Sequence, residues 1–159
     1  MKSQDIKKLP YRNNVSCIVY RDKEFLLLQH KMWPINWWKF PQGGTNIDET
    51  FEKAAKRELK EETGTDSYNI IGVSKYTNSY DWNDESLKLA SYRWRGQYQK
   101  YLLVEYLGRK DDININTNEI QDYKWVELED IWDHIDHDDK NFTNYKDTVK
   151  KVLKEFDFL

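Results

Sequence analysis

Runs of apolar residues with strand-like and helix-like spacing alternate along the chain. Five apolar runs have strand character; β-branched and aromatic residues dominate the first of them, and turn-forming residues separate it from the second. These runs predict strands, because such side chains pack well on a pleated, half-buried surface. The predicted strands are Val15–Tyr20, Phe25–Leu28, Tyr68–Tyr80, Tyr98–Leu107 and Tyr123–Val126.

Helical spacing is clearest in Thr50–Thr63, where apolar residues recur every three or four positions and Gly64 follows as a stop signal. Further helices are predicted near Glu127–Ile135 and from about Asn144 to Phe156. The polar and aromatic stretch Asp81–Gly96 is interpreted as a loop beside a binding site. Strands interleaved with helices predict an α/β fold, with a mixed sheet covered by helices, in a single domain spanning residues 1–159.

Composition narrows the class of protein. Aromatic residues make up 15% of the 159 residues, which favours a packed globule over a disordered chain. The single cysteine, Cys17, excludes a disulfide scaffold and favours a reducing compartment. A net charge of −3 argues against a protein that coats nucleic acid through a positive field. Met1–Lys8 is polar and no apolar run is long enough for a membrane span, so we expect a cytoplasmic protein without a membrane partner or an obligate protein partner.

Three carboxylates lie on one face of the predicted helix Thr50–Thr63. Glu58, Glu61 and Glu62 stand at positions i, i+3 and i+4, so their like charges repel unless a cation lies between them. Clustered oxygen ligands of this kind suit Mg²⁺ or Mn²⁺, which keep several waters and bridge substrate phosphates. Arg57 is adjacent and can hold one of the carboxylates in a fixed orientation.

The spacing of these residues resembles the Nudix box, G-x5-E-x7-R-E-U-x-E-E-x-G-U, in which U is aliphatic. One position departs, because Thr65 stands where an aliphatic residue is usual, and this departure concerns packing of the helix rather than the carboxylates. The matching residues are Gly43, Glu49, Arg57, Glu58, Leu59, Glu61, Glu62 and Gly64.

The resemblance implies an α/β/α Nudix sandwich that hydrolyses a nucleoside diphosphate linked to another group. It also implies Mg²⁺ as the cofactor, with Mn²⁺ as the alternative. It implies Glu58 and Glu62 as metal ligands, and Glu61 as a further ligand or as the base that activates water. Glu49 and Arg57 are implied to stabilise the loop and helix that carry the site. Glu58, Glu61 and Arg57 therefore form the expected catalytic group.

Further segments resemble the Nudix subgroup that contains bacterial RNA pyrophosphohydrolases and dinucleoside polyphosphate hydrolases. They include Trp38–Gly44, Gly96–Lys100 and Val152–Phe156. The subgroup places a glutamate at the position of Glu119, which implies a fourth metal-binding carboxylate; a solvated loop residue is the alternative. Asp48 departs from the glycine that is usual in the subgroup before the first glutamate of the box.

A polyphosphate also needs cations and polar groups from the protein. Arg12 aligns with an arginine of the subgroup, and Lys31 is a weaker candidate. Gln97 and Gln99 share one face of a predicted strand and can hydrogen-bond a substrate. The expected substrate-binding residues are Arg12, Lys31, Gln42, Gly43, Gly44, Gln97 and Gln99.

Aromatic residues in loop-like stretches are candidates to stack on a base. These candidates are Trp33, Trp37, Tyr80, Trp82 and Trp94, whereas Trp38 and Trp125 are expected in the core. The three histidines show no metal-ligand spacing and are interpreted as surface or core residues; they are His30, His134 and His137.

The leading hypothesis is a metal-dependent pyrophosphohydrolase acting on 5′-triphosphorylated RNA ends or on dinucleoside polyphosphates. Two alternatives stay open. One is a Nudix hydrolase of oxidised (d)NTPs or ADP-ribose-type nucleotides. The other is a Nudix nucleotide-binding module without turnover, although such modules typically lose the carboxylates that this chain keeps at Glu58, Glu61 and Glu62.

Overall fold

The computed structural model describes residues 2–159; Met1, the first residue of the polar segment Met1–Lys8, lies outside the described residues. Six strands and five α-helices are present in this range, together with three short 3₁₀ turns. The strands are β1 Tyr11–Arg21, β2 Glu24–His30, β3 Gln42–Gly44, β4 Tyr68–Asp81, β5 Gly96–Tyr106 and β6 Ile120–Glu127. The helices are α1 Ser3–Ile6, α2 Phe51–Thr63, α3 Asp84–Leu89, α4 Ile131–Ile135 and α5 Tyr145–Glu155.

All six strands belong to one mixed sheet in the order β4-β5-β1-β2-β6, with the short β3 also paired to β1. β1 and β5 run parallel, and the other pairs are antiparallel. β1 is thus the central strand of the sheet, because it pairs with β5 on one side and with both β2 and β3 on the other.

The sheet is buried on both faces, and successive residues of β1 enter two separate hydrophobic clusters. Cys17 and Val19 pack with Ala55 and Leu59 of α2 on one face. On the other face, Ile18 packs in the cluster that includes residues of α4 and α5. This alternation is the period-two pattern of a doubly covered sheet. The predicted α/β/α sandwich with a mixed sheet is therefore confirmed.

Two predicted segments differ from the structure. Asp81–Gly96, expected to be a loop, contains α3, because the Asn83 side chain accepts a hydrogen bond from Ser86 N at 2.9 Å and Leu87 is buried below it. The predicted helix Glu127–Ile135 includes the end of β6, then a 3₁₀ turn at Leu128–Asp130, and only then the five residues of α4. Both differences arise because these helices are only five or six residues long. Periodicity read over a longer window does not detect capping and burial on that scale.

α2 has clear signals at both ends. The Thr50 side chain accepts from Lys53 N at 3.2 Å, and Gly64 takes a left-handed conformation with φ of 71° after the last turn. Across residues 2–159, no helix combines the length and the apolar character needed to cross a membrane.

Candidate active site

β3 and α2 meet at a very close contact. Gly43 of β3 pairs with Val15 of β1 and lies against the side chain of Glu58 on α2. A Cβ atom at position 43 would overlap the Glu58 carboxyl carbon, and one at Gly44 would overlap the guanidinium of Arg12. Neither glycine has a positive φ, so the backbone conformation does not require glycine here. Both positions require glycine because there is no space for a Cβ atom. They let two charged side chains lie directly over the strand.

Arg57 connects the loop, the strand and the helix. Its Nε and Nη2 atoms each donate to a carboxylate oxygen of Glu49 at 2.8 Å, and Nη2 also donates to Gly44 O at 2.8 Å. Nη1 donates to Glu58 at 2.8 Å and more weakly to Glu61 at 3.4 Å. The hydrogen bonds from Arg57 and from Asn46 N lower the pKa of Glu49 to about 2. Arg57 thus fixes the orientation of the Glu58 carboxylate from behind.

Replacing Arg57 with lysine is expected to lower kcat by roughly tenfold to a hundredfold. Lysine keeps the positive charge but loses the planar fork that holds Glu49, Gly44 O and Glu58 together. Steady-state kinetics at saturating substrate measures the effect. Lys56→Arg, on the exposed face of the same helix, is the control and should retain the kcat of the parent protein. An R57K protein with parental kcat would contradict the positioning role of Arg57.

Four glutamates line one cavity of about 290 Å³ beside α2. Glu58, Glu61 and Glu62 come from the helix, and Glu119 comes from the loop before β6. This loop is bound to the end of α2, because Asn114 N and Asn116 N donate to the carbonyls of Thr63 and Glu62 at 2.9 and 3.0 Å. The Glu119 carbonyl also accepts from Lys31 N at 2.8 Å. The four predicted metal-binding carboxylates are brought together at the same cavity.

Glu62 is the most strongly perturbed of the four. It is 2% exposed, and its Oε1 atom has no hydrogen-bond partner in the described chain. Burial raises the pKa of Glu62 well above its usual range, and the charges of Glu58 and Glu119 raise it further. Burial also raises the pKa of Glu58, although Arg57 opposes this effect. A buried carboxylate with an unpaired oxygen is a group that a cation would satisfy.

The residues at this cavity fit a divalent cation. They provide hard oxygen ligands, and one oxygen of Glu62 has no hydrogen-bond partner in the described chain although it lies near other carboxylates. Within residues 2–159, however, no three His, Cys, Asp or Glu side chains converge at metal-binding distances. Two of the carboxylates, Glu58 and Glu61, share a hydrogen-bond donor, Nη1 of Arg57.

A second cavity, of about 370 Å³, adjoins the carboxylates and is rich in aromatic residues. Its lining includes Trp33, Trp37, Trp82, Trp94 and Tyr80, all five of the predicted base-stacking candidates. Tyr80 differs from the expectation that it lies in a loop-like stretch, because it belongs to β4 and is 3% exposed. Trp38 is buried as expected. The two cavities share the lining residues Arg12, His30, Gln42 and Gln97.

The shared wall includes three of the predicted substrate-binding residues. Arg12 lies over the ring of Trp94, with 5.1 Å from Cζ to the ring centroid. Gln97 accepts a hydrogen bond from the Tyr80 hydroxyl at 2.6 Å. His30, interpreted from the sequence as a surface or core residue, instead lies in this wall at the end of β2. Arg12, Gln42 and Gln97 can therefore contact a ligand that extends from one cavity to the other.

Two other predicted substrate-binding residues lie elsewhere. Gln99 is fully buried, where it donates to Asn14 Oδ1 at 2.9 Å and to Gln42 Oε1 at 3.0 Å. It supports Gln42 from below, and the prediction of a direct substrate contact does not fit this position. Lys31 is exposed, and its Nζ is 3.3 Å from the Thr117 carbonyl, outside the lining of both cavities.

Lys39 lies in the aromatic cavity and was not predicted from the sequence. Backbone hydrogen bonds between Lys39 and Leu28 fix its position beside β2, and its side chain is 2% exposed. Its Nζ donates to the Asn141 carbonyl at 2.5 Å. Burial lowers the pKa of Lys39 from 10.5 to about 7. The available signal was a single charged residue inside the aromatic run Trp37–Phe40.

The stability of the protein is expected to depend on pH through Lys39. Its folded pKa is below its unfolded pKa, so the unfolded chain binds more protons between pH 7 and 10 and stability rises with pH in this window. From pH 7 to pH 9 the free energy of unfolding should rise by about 2 kcal/mol more in the parent protein than in Lys39→Met. Urea denaturation of both proteins at the two pH values measures this difference. Parallel pH profiles would show that Lys39 titrates normally.

Comparison with known proteins agrees with this geometry. The family model described as the NUDIX domain matches residues 10–147. An RNA pyrophosphohydrolase from Campylobacter jejuni is 39% identical over 155 residues, covering 92% of this chain and 93% of the relative. An Ap4A hydrolase from C. elegans, crystallised as a binary complex, has a TM-score of 0.64 and 25% identity, covering 92% of this chain and 99% of that one.

The chain belongs to the Nudix family. The sequence-based prediction of a Nudix pyrophosphohydrolase is confirmed, and enzymes of this family depend on divalent metals. A bifunctional NMN adenylyltransferase/ADP ribose pyrophosphatase from Francisella tularensis, complexed with AMP and a manganese ion, shares the fold with a TM-score of 0.60 and 23% identity. The match covers 96% of this chain and 44% of that protein.

Proposed function

We propose that this protein removes pyrophosphate from 5′-triphosphorylated RNA ends and also cleaves dinucleoside polyphosphates, with Mg²⁺ as its cofactor. The observation that carries the proposal is that the cavity lined by carboxylates and the cavity lined by aromatic residues adjoin each other and share polar lining residues. A nucleotide has matching parts, because its polyphosphate needs cations and its base needs a stacking surface. The relative from Campylobacter jejuni, named an RNA pyrophosphohydrolase, supports the RNA substrate.

The shared wall supports a path for the substrate between the two cavities. A base stacked in the aromatic cavity would leave its phosphates beside Arg12, which contributes positive charge where the two cavities meet. Gln42 and Gln97, which belong to the shared wall, would donate hydrogen bonds to phosphate oxygens or orient a water molecule. Gly43 and Gly44 would contribute through their small volume, which keeps the passage open for Arg12 and Glu58.

The carboxylates would divide the remaining tasks. Glu58, Glu62 and Glu119 would hold the divalent cation, and Glu61, whose side chain is 53% exposed, would be a further ligand or the base that takes a proton from water. Arg57 would act through Glu58, as a positioning residue. A bound Mg²⁺ or Mn²⁺ supplies charge that neutralises phosphate oxygens and lowers the pKa of water.

Removal of divalent ions is expected to abolish activity. Dialysis against a chelator should reduce the rate by at least about a hundredfold, since four carboxylates without a cation between them would repel the phosphates of the substrate. Adding Mg²⁺ or Mn²⁺ back should restore the rate, while Ca²⁺ and K⁺ at the same ionic strength serve as controls. Full activity after exhaustive chelation would contradict the proposed metal site.

A substrate panel tests the function. The products to be measured are pyrophosphate from triphosphorylated RNA, ATP from diadenosine tetraphosphate, AMP from ADP-ribose and the monophosphate from an oxidised dNTP. We expect the highest kcat/KM with RNA or the dinucleoside polyphosphate, and labelled water identifies the phosphorus attacked. A preference for ADP-ribose or oxidised dNTP would overturn the proposed substrate. Binding without turnover of every compound would favour the non-catalytic module.

Other features of the protein are part of the same proposal. We take residues 1–159 as one domain, supported by the single sheet and by a family match over residues 10–147. A cytoplasmic location is supported by the lone Cys17, which is buried. The proposed partner is the nucleotide or RNA substrate itself.

A further inference from the structure

The ammonium group of Lys39 is enclosed on the core side and reaches the aromatic cavity on the other. Its Nζ is 4.6 and 4.8 Å from the ring centroids of Phe142 and Tyr145, which do not line the cavity. Tyr80 and Trp33, at 4.9 and 5.8 Å, belong to the cavity wall. None of the ion pairs formed within residues 2–159 includes Lys39. In its protonated form, Lys39 is thus a buried cation that lines the cavity.

The hydrogen bonds of Lys39 leave one donor unused. An ammonium carries three N–H groups. One donates to Asn141 O at 2.5 Å, and a second is 3.4 Å from the Tyr80 hydroxyl oxygen. The third has no acceptor in the described chain, and a buried polar group without a partner costs free energy. A ligand atom that accepts a hydrogen bond would complete the set.

The neighbouring polar groups are already paired with one another. The Asn141 side chain accepts from Asn83 N at 3.0 Å and donates to Ser86 Oγ at 2.9 Å. The Tyr80 hydroxyl donates to Gln97 at 2.6 Å. At this buried end of the cavity, Lys39 therefore offers a donor to the ligand, while the acceptors around it are occupied.

We infer that Lys39 is a specificity-determining residue, which donates a hydrogen bond to a ring carbonyl of the substrate's base and so selects a 6-oxopurine such as guanine over adenine. The inference rests on the proposed function, since it assigns a base to the aromatic cavity. Guanine presents two adjacent acceptors, O6 and N7, whereas adenine places an amino donor next to N7. An ammonium facing that amino group leaves both donors unpaired, and sites built to hydrogen-bond one partner discriminate strongly against the other.

The test compares substrates that differ only in the base. Triphosphorylated oligonucleotides beginning with two guanosines, two inosines or two adenosines are assayed with the parent protein, Lys39→Met and Lys39→Gln. We expect the parent to prefer guanosine and inosine over adenosine by at least tenfold in kcat/KM, mainly through KM. Lys39→Met should lose this preference by losing affinity for the 6-oxopurines alone. Lys39→Gln, whose amide both donates and accepts, should accept both classes.

A purely structural role of Lys39 predicts a different result. If Lys39 only anchors the Asn141 loop, the Met variant will lose activity equally with all three substrates, which would overturn the inference, as would a parent protein without base preference. Lys88→Met, an exposed change on α3 outside the cavity lining, should leave the preference intact. Should Lys39→Met fail to fold, Lys39→Gln decides the outcome by the same ratios.

Binding separates this inference from the proposed function. Tryptophan fluorescence is titrated with GMP and with AMP in the absence of metal, using the parent protein and Lys39→Gln. Tighter binding of GMP by the parent, lost in the variant, would support Lys39 even if no triphosphorylated RNA or dinucleoside polyphosphate is cleaved. Equal affinities for GMP and AMP in the parent would overturn it, whatever the enzyme hydrolyses.

Discussion

Replacing Glu62 with glutamine is expected to lower kcat by about a thousandfold without lowering the unfolding temperature. Glu62 is 2% exposed and close enough to Glu58 and Glu119 for their charges to raise its pKa. Glutamine keeps the shape of the side chain but removes this repulsion and the cost of burying a charge. It also removes one of the oxygen ligands expected to hold the cation. Activity and stability should therefore change independently.

Saturating kinetics with Mg²⁺ and scanning calorimetry on the same preparation measure the two effects. Glu52→Gln is the matched control, because Glu52 is an exposed glutamate in the first turn of the same helix. It should keep both the rate and the unfolding temperature. A Glu62→Gln protein that retains its kcat would exclude Glu62 from the metal site, and a large fall in unfolding temperature would show that the carboxylate mainly stabilises the fold.

Replacing Gly43 with alanine should lower kcat by about a hundredfold, the loss that a displacement of about 1 Å can cause at a reacting centre. The added methyl group overlaps the Glu58 carboxyl carbon, and the pairing of Gly43 with Val15 limits any shift of the strand. Glu58 therefore has to leave its position against Arg57. The affinity for Mn²⁺, measured by electron paramagnetic resonance, should weaken at the same time.

Gly44→Ala provides the comparison. Its methyl group would overlap the guanidinium of Arg12, which is the end of a long side chain and, within residues 2–159, forms no ion pair with a carboxylate. The expected change is a raised KM with a smaller effect on kcat, since Arg12 is assigned to phosphate binding. If both alanine variants reduced kcat and Mn²⁺ affinity to the same extent, a general distortion of β3 would explain the result better than displacement of Glu58.

The part of the site that sequence predicted best is the part formed locally. Glu58, Glu61 and Glu62 belong to one helix, so their spacing alone indicates a common face. Glu119 is distant in the chain and reaches them only through backbone hydrogen bonds between its loop and the end of α2. Spacing carries no information on such a contact, and resemblance to a family was needed to indicate it.

The sequence pattern could not predict how deeply individual polar side chains are buried. Alternation assigned Gln97 and Gln99 to the same face of β5, but Gln99 is covered by Asn14 and Gln42 from two neighbouring strands. The buried position of Lys39 was equally inaccessible, because a lysine among aromatic residues is normally exposed at its charged end. Its burial follows from α5 and the preceding loop, which add Phe142 and Tyr145 around it.

The two hydrophobic clusters on opposite faces of the sheet have a consequence for divergence within the family. The carboxylate helix packs in one cluster, whereas Trp37, Phe142 and Tyr145 beside the aromatic cavity pack in the other. Substitutions at sites that share no packing partners usually have additive effects. Substitutions at Trp37, Phe142 or Tyr145 can therefore change the base preference while the bond-breaking apparatus is inherited intact, whereas substitutions at the four residues that line both cavities alter the two together.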